Sequence, residues 1–329
     1  MNLDEIELLE AAVETMASRH DGPELTDALD GFGWIELLDS APEVAVPSVF
    51  VAQGRLGVWS AAFHDVLAAR IEALGADLDP RSVAVVVPPP RAATAGRASG
   101  GAVTVDGLCI GARRDLEWLV VAATEPSGAV ALFRVVSGGV SVVAARGLDP
   151  DLHVARVRAH VDGGGAEVLA RDAAASAWWS VAEATGRRAL SHQICGALGA
   201  MLALALVHAR ERAQFGQLVG TFQAVRHRLA EAYVAVSAAE AAAQAAWDSD
   251  DPGLAAATAK LVTSQACEVT VKHCQQVLAG IGFTAEHPYQ RLMKRVVVLD
   301  RLLGSASDLA PIVGRHLVAS GTAPRLVEL

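Results

Sequence analysis

From residue 166 almost to the end of this 329-residue chain, apolar residues recur three and four positions apart in long stretches rich in Ala and Leu. That spacing lines one face of a helix. The segments 166–185, 189–214, 222–247 and 254–279 are each 20 residues or more, and helices so long and so apolar must bury against one another. A four-helix bundle is therefore expected over 164–329. The most apolar run, 195–207, is far shorter than the roughly 20 residues that cross a bilayer. Its Ala and Gly predict a helix buried among helices, with no membrane partner.

Upstream the texture differs. Ile6, Leu9, Val13 and Met16, then Phe63, Val66, Leu67, Ile71 and Leu74, keep helical spacing, with Pro42 and Pro47 expected to break the middle. From Ser82 short Val-rich runs follow at 83–87, 102–105, 118–123, 130–136 and 140–145. Gly, Pro and Asp-Gly signals separate them, with a turn expected at Asp106-Gly107 and a strand end at Pro88 to Pro90, so the pattern reads as a small β domain. The order predicts three domains, 1–78 helical, 79–163 β and 164–329 a helical bundle. Without alternating βαβ units no Rossmann sheet is expected.

A 52% apolar, 19% charged composition supports sizeable cores. The net charge of -10 leaves no basic surplus for phosphate backbones, which argues against a nucleic-acid partner. Cys109, Cys195, Cys267 and Cys274 lack CxxC spacing and read as buried, reduced thiols. Four acids in the first ten residues, with no basic start or apolar stretch, are unlike a secretion signal. A cytoplasmic location is the expectation.

Two segments could carry chemistry. Arg210-Glu211-Arg212-Ala213-Gln214-Phe215-Gly216 closes one long helix and Phe222-Gln223 opens the next. A guanidinium and a Gln amide at such a junction can donate several hydrogen bonds to a diphosphate; an Arg against the helix dipole before a Gly cap is the structural alternative. In Gln276-Val277-Leu278-Ala279-Gly280-Ile281-Gly282-Phe283-Thr284 the small residues let a ligand approach, with Gln276 free to bond it; a Gly-terminated helix is again the alternative. His192, His208, His227 and His273 show no HxxxH spacing and read as core or surface histidines. Trp178-Trp179 reads as a packing anchor.

Taken together, the order and spacing of these segments resemble the acyl-CoA dehydrogenase family. Arg212, Phe215 and Gln223 match its Arg-x-x-Phe-Gly element with a Gln eight residues after the Phe, and Gln276, Gly280 and Gly282 match its Gln-x-x-Gly-Gly-x-Gly element, with Ala279 replacing the first Gly. The continuation Glu286-His287-Pro288-Tyr289-Gln290-Arg291-Leu292-Met293 is similar too. The resemblance implies that family's fold, here with a shortened N-terminal helical domain. It also implies FAD, with Arg212, Gln214, Phe215, Gln223, Gln276 and Gly280 as cofactor-binding residues.

The chain departs from the family where the family keeps its catalytic base. These enzymes take an α-proton from an acyl-CoA with a Glu. One family position for that Glu, 27 residues after Gln276, is Leu303, and the other, 29 residues before Phe215, is Gly186. The family segments that hold the flavin ring are replaced by Pro88-Pro89-Pro90-Arg91 and Gly111-Ala112-Arg113-Arg114. Arg187 matches a family Arg beside the active site. Elements used on a subunit's own flavin are eroded and those lent to a neighbour are kept, an asymmetry that resembles the base-lacking subunits of actinobacterial heteromeric (α2β2) acyl-CoA dehydrogenases of steroid side-chain breakdown. The resemblance implies a catalytic partner subunit, FAD shared across the interface, an acyl-CoA substrate and an electron-transferring flavoprotein as acceptor. Two alternatives stand beside it: a self-sufficient homomer using Asp300 or Asp308 as base, and a flavin-free structural partner.

Overall fold

The computed structural model describes residues 2–69, 71–74, 78–113 and 116–321. Five helices open the chain: α1 (Leu3–Arg19), α2 (Pro23–Phe32), α3 (Trp34–Ser40), α4 (Pro42–Leu56) and α5 (Ala62–Ala68). Eight strands follow: β1 (Val83–Val86), β2 (Gly96–Ser99), β3 (Ala102–Ile110), β4 (Trp118–Thr124), β5 (Val130–Val136), β6 (Ser141–Ala144), β7 (Val154–Val161) and β8 (Ala166–Arg171). The second half holds α6 (Asp172–Glu211), the hairpin β9 (Ala213–Gln214) and β10 (Gln217–Leu218), then α7 (Gln223–Ala245), α8 (Pro252–Leu278), α9 (Pro288–Asp300) and α10 (Ala306–Ser320).

By internal packing these elements form two compact units. One comprises Met1–Ser18, Val46–Val58 and Arg187–Leu329, and the other Arg19–Ala45 and Trp59–Gly186. The sequence segments 1–78 and 164–329 thus each contribute to both units.

The second unit is built on a sheet in the order β6-β7-β3-β2-β4-β5-β8, with β1 pairing parallel to β4. Alternate residues of β3, β4 and β5 meet in one core around Val103, Val105, Val121, Phe133 and Val157. Asp106-Gly107 is not a turn but lies within β3, paired with Arg158 and Val157 of β7. Gly107 is needed there because a Cβ would stand 2.4 Å from Val86 Cγ1, and Asp106 is held by Arg156 through two 2.8 Å bonds. Residues 166–171 are likewise not helical: they form β8 and pair with β5.

The two helices expected over 166–185 and 189–214 are one helix of 40 residues, α6, which runs from the second unit into the first. Gly186 lies buried inside it, and a single interior glycine costs a helix only about 1 kcal/mol. By length and composition α6 can cross a membrane, so the short-run reading of 195–207 understated it; 67% of its most apolar window is buried inside the protein. Pro47 does not break α4, which runs on to Leu56, since an interior Pro removes one backbone bond and is tolerated at a kink. Against α6, α4 packs backbone to backbone. A Cβ on Gly54 would lie 1.9 Å from the Gln193 carbonyl oxygen, and one on Gly196 would lie 2.2 Å from that of Val51.

Downstream, Arg228 of α7 meets His273 of α8 at 3.2 Å, and Glu231 meets the same ring at 2.9 Å. From α9, Arg291 and Arg295 donate to the carbonyls of Gly57 and Val58 at 2.7 and 3.0 Å. All four cysteines are buried free thiols.

Gly54→Ala is expected to lower stability by about 3 kcal/mol or more, the upper end for overpacking a core. Gly199→Ala on the same α6, where a Cβ meets nothing within 4 Å, should be neutral or mildly stabilising. Urea denaturation of both variants checks the contrast.

Candidate functional site

The hairpin β9–β10 is closed by two residues, Phe215 and Gly216, with φ of 54° and 80°. Positive φ at both centres is what a two-residue type I′ turn requires, and Phe215 accepts the left-handed conformation that a glycine takes without strain. Its phenyl is 92% exposed, in edge contact with Phe222 at 6.3 Å. Arg212, Gln214 and Gln223 are exposed beside it. The hairpin is tied back by Val219 N–H to the Arg212 carbonyl at 2.8 Å, and the Arg212 guanidinium has no ion pair among the described residues. His208, one turn earlier, is held below its ordinary pKa by partial burial and then by the positive charges of Arg212 and His287.

At the end of α8, Ala279 has φ 51° and ψ -132°. An L residue held there costs about 1–3 kcal/mol. Gln276 and Gly280 are exposed, and a Cβ on Gly280 would meet nothing within 4 Å, so that direction is open. Gly282 is different: a Cβ there would lie 2.7 Å from the Gln275 amide nitrogen. The antiparallel pairing of α7 and α8 through Arg228, Glu231 and His273 puts Gln223, at the start of α7, and Gln276, near the end of α8, at the same end of the pair. All six expected cofactor-binding residues are thus exposed at hairpin or helix ends, and none serves the core.

The turn at Leu303, where the resemblance implies a Glu in the family, is built differently. Leu303, at φ 54°, is 7% exposed, followed by Gly304 at φ 104°. Arg187 Nε donates to the Leu303 carbonyl at 2.9 Å. Fully buried Lys260 donates to the carbonyls of Asp300 at 2.9 Å and Gly304 at 3.1 Å, with Ser264 Oγ at 3.4 Å and the Asp300 carboxylate at 3.7 Å. Burial pulls the Lys260 pKa down to about 8, against the pull of Asp300. Asp308 accepts from the Ser305 hydroxyl at 2.7 Å and backbone N–H at 3.0 Å, capping α10. Asp308 is thus held in the cap, while the Asp300 carboxylate has ion pairs with Lys260 at 3.7 Å and Arg301 at 3.8 Å and its buried Oδ1 accepts no hydrogen bond among the described residues. Sequence reasoning singled out Arg187 but missed Lys260, which no motif marks.

In the second unit, Trp59 fills the space opposite two glycines: a Cβ on Gly22 would lie 2.8 Å from its indole, and one on Gly111 2.4 Å. The His153 ring lies tilted by 37° against it, 4.8 Å between centroids. These residues border a cavity of about 630 Å3 with Cys109, Arg113 and Leu116. Arg113 is spent on carboxylates, at 3.0 Å from Asp30 and 3.1 Å from Asp65, which also accepts from Trp34 Nε1 at 3.0 Å. Burial raises the Asp65 pKa to about 6. His64, buried beside it in sequence, is lowered to about 4 by burial and accepts the Ile110 N–H at 3.2 Å. Arg114 lies outside the described residues, and Arg91, after the proline run, stands exposed at φ 69°. His192 accepts from Trp247 Nε1 at 3.1 Å, and His273 sits between Arg228 and Glu231.

The model of the acyl-CoA dehydrogenase C-terminal domain matches residues 179–318, the stretch that carries both exposed elements and the Leu303 joint. The chain carries an acyl-CoA dehydrogenase C-terminal domain. Acyl-CoA dehydrogenase IpdE2 of Mycobacterium tuberculosis is 35% identical over 120 residues, 36% of this chain and 37% of that protein. FadE34 of the same organism is 37% identical over 151 residues, 42% of this chain and 21% of FadE34. The match thus spans well under two thirds of these relatives. Over nearly the whole chain the fold is that of acyl-CoA dehydrogenases. A variant of the Tcur3481-Tcur3483 steroid ACAD superposes with a TM-score of 0.79 at 22% identity, covering 97% of this chain and 98% of its own. The ChsE4-ChsE5 complex from Mycobacterium tuberculosis gives 0.72 at 22% identity, with 98% and 99% covered.

The Lys260 site fixes the sign of a pH effect. Between the folded pKa of about 8 and the ordinary 10.5, the unfolded chain holds a proton at this lysine that the folded chain has released, so the lysine's contribution to stability rises with pH through that window. The difference in unfolding free energy between the wild type and Lys260→Met, measured from pH 7.5 to 10.5 by urea denaturation, is expected to move in favour of the wild type as pH climbs.

Proposed function

We propose that this chain is one subunit of an FAD-dependent acyl-CoA dehydrogenase, lacking the catalytic base itself and lending the binding of the FAD tail to a base-bearing partner subunit. One observation carries the reading: every tail-type donor is preformed and exposed at one end of the bundle, while the position of the base is a buried leucine. The donor set fits a dinucleotide tail. A guanidinium at Arg212 and amides at Gln214, Gln223 and Gln276 suit diphosphate oxygens, exposed Phe215 offers a flat apolar face, and Gly280 leaves room for close approach. The chemistry that a bound FAD supplies in such an enzyme is acceptance of a hydride from the acyl-CoA. The chain's own part is to bind and orient: Arg212 neutralises charge, the amides fix register, and the clamped hairpin holds them in place before binding.

Support comes also from the second unit. The segment at the family's ring-holding position has Gly111 closed over by Trp59 and Arg113 committed to Asp30 and Asp65, so these side chains are occupied within the chain. The homomeric alternative needs a carboxylate that meets substrate near the position of the absent Glu; Asp308 is bonded to Ser305, and Asp300 is largely buried and paired with the Lys260 ammonium at 3.7 Å. Similarity to a steroid ACAD and to the ChsE4-ChsE5 complex supports a heteromer acting on a steroid-derived acyl-CoA; a side-chain CoA thioester as substrate, an electron-transferring flavoprotein as acceptor and a cytoplasmic location complete the proposal.

Arg212→Ala in this chain, co-expressed with a base-bearing dehydrogenase, is expected to weaken FAD retention by the complex about 10- to 100-fold, the size of one charge-assisted hydrogen bond. Gln223→Ala should cost less, and Asp300→Asn should leave turnover intact. Flavin absorbance after dialysis and a steady-state assay check all three; unchanged FAD content in both tail variants would favour the flavin-free structural partner.

A further inference from the structure

We propose that Gln275 is a positioning residue that holds the loop presenting Gly280 beside Gln276 in its ligand-competent shape, in place of the glycine that residue 279 lacks; this rests on the tail-binding reading above. Gln275 grips residue 279 at both ends. Its carbonyl accepts the Ala279 N–H, and its side-chain amide donates to the Ala279 carbonyl at 3.2 Å. Between these two bonds Ala279 stands at φ 51°, ψ -132°, a conformation that glycine adopts freely and alanine only when its surroundings over-determine it.

The loop has a second fitted part. Gly282 leaves the space in which the Gln275 amide lies, since a Cβ there would come within 2.7 Å of the amide nitrogen and 3.4 Å of its carbon. Downstream, Thr284 Oγ1 bonds the Ile281 carbonyl at 3.0 Å and Gln290 Nε2 bonds that of Phe283 at 3.2 Å, so the far side of the loop is pinned independently. Only Gln275 holds the near side by a side chain among the described residues. Release of residue 279 changes where Gly280 stands relative to Gln276, which the last turn of α8 holds, without unmaking α8.

The test uses the co-expressed complex with a base-bearing partner and two readouts, FAD retention and hydrogen exchange at 279–284. Gln275→Ala is expected to speed exchange at 279–284 and to weaken FAD about five-fold, the size of one neutral hydrogen bond. Gly282→Ala, which pushes the amide aside without removing it, should do the same. Adding Ala279→Gly to Gln275→Ala should restore FAD retention, because glycine needs no clamp. A Gln275→Ala complex that keeps its FAD while Arg212→Ala loses it overturns the positioning role and leaves the tail reading standing. If neither variant loses FAD, the tail reading fails and the positioning role falls with it. Loss in Gln275→Ala that Ala279→Gly does not rescue also overturns the proposal, since the residue would then not act through residue 279.

Discussion

Three turns that end or join the helices of the first unit each place a residue other than glycine at positive φ: Phe215, Ala279 and Leu303. Each such residue costs free energy, and each is held by a bond from a fixed element. A ladder bond from Val219 closes the hairpin under Phe215, Gln275 grips Ala279, and Arg187 with Lys260 fixes the joint at Leu303 and Gly304. The rigid frame behind them is the packing of α4, α6, α7 and α8, close enough at Gly54 and Gly196 to exclude a single methyl group. Strain of this kind persists only where a packed scaffold over-determines it, and here the scaffold fixes two exposed loops and one buried one.

That contrast organises the function. The two exposed turns and the helix ends beside them present Arg212, Gln214, Phe215, Gln223, Gln276 and Gly280 outward, and the 92% exposed Phe215 leaves apolar surface in water without adding to the core. The buried turn seals the place of a proton-accepting carboxylate with an aliphatic side chain, and its neighbouring acids are drawn into caps and ion pairs. The proposed role, binding FAD for a partner subunit and leaving the proton chemistry to it, calls for this division of roles. Trp59 and Arg113 in the second unit follow the same logic, since both are satisfied by their own chain.

Much of this was legible in the sequence because the decisive residues lie in local, contiguous patterns. The hairpin and the loop after α8 were marked by short motifs, and the buried leucine by its spacing from Gln276. The α, β, α order followed from periodicity. What sequence could not show depends on contacts across long separations. Asp106-Gly107 reads as a turn until Val86 is seen to need the glycine's space. The six residues of β8 read as helix until β5 supplies a partner, and Gly186 reads as a break until its burial within α6 is known. Lys260 is 40 residues from Asp300 and carries no motif. Gln275 had one visible signal, the alanine at 279 where a glycine is expected, which implies a compensating bond without saying from where.

Flavin absorbance combined with molar mass by light scattering, on the chain purified alone and co-expressed with a base-bearing dehydrogenase, tests the central claim most directly. The account predicts a colourless chain alone and a yellow complex holding one FAD per pair of unlike subunits. A yellow homo-oligomer with one FAD per chain, whose flavin is bleached by an acyl-CoA, would contradict it.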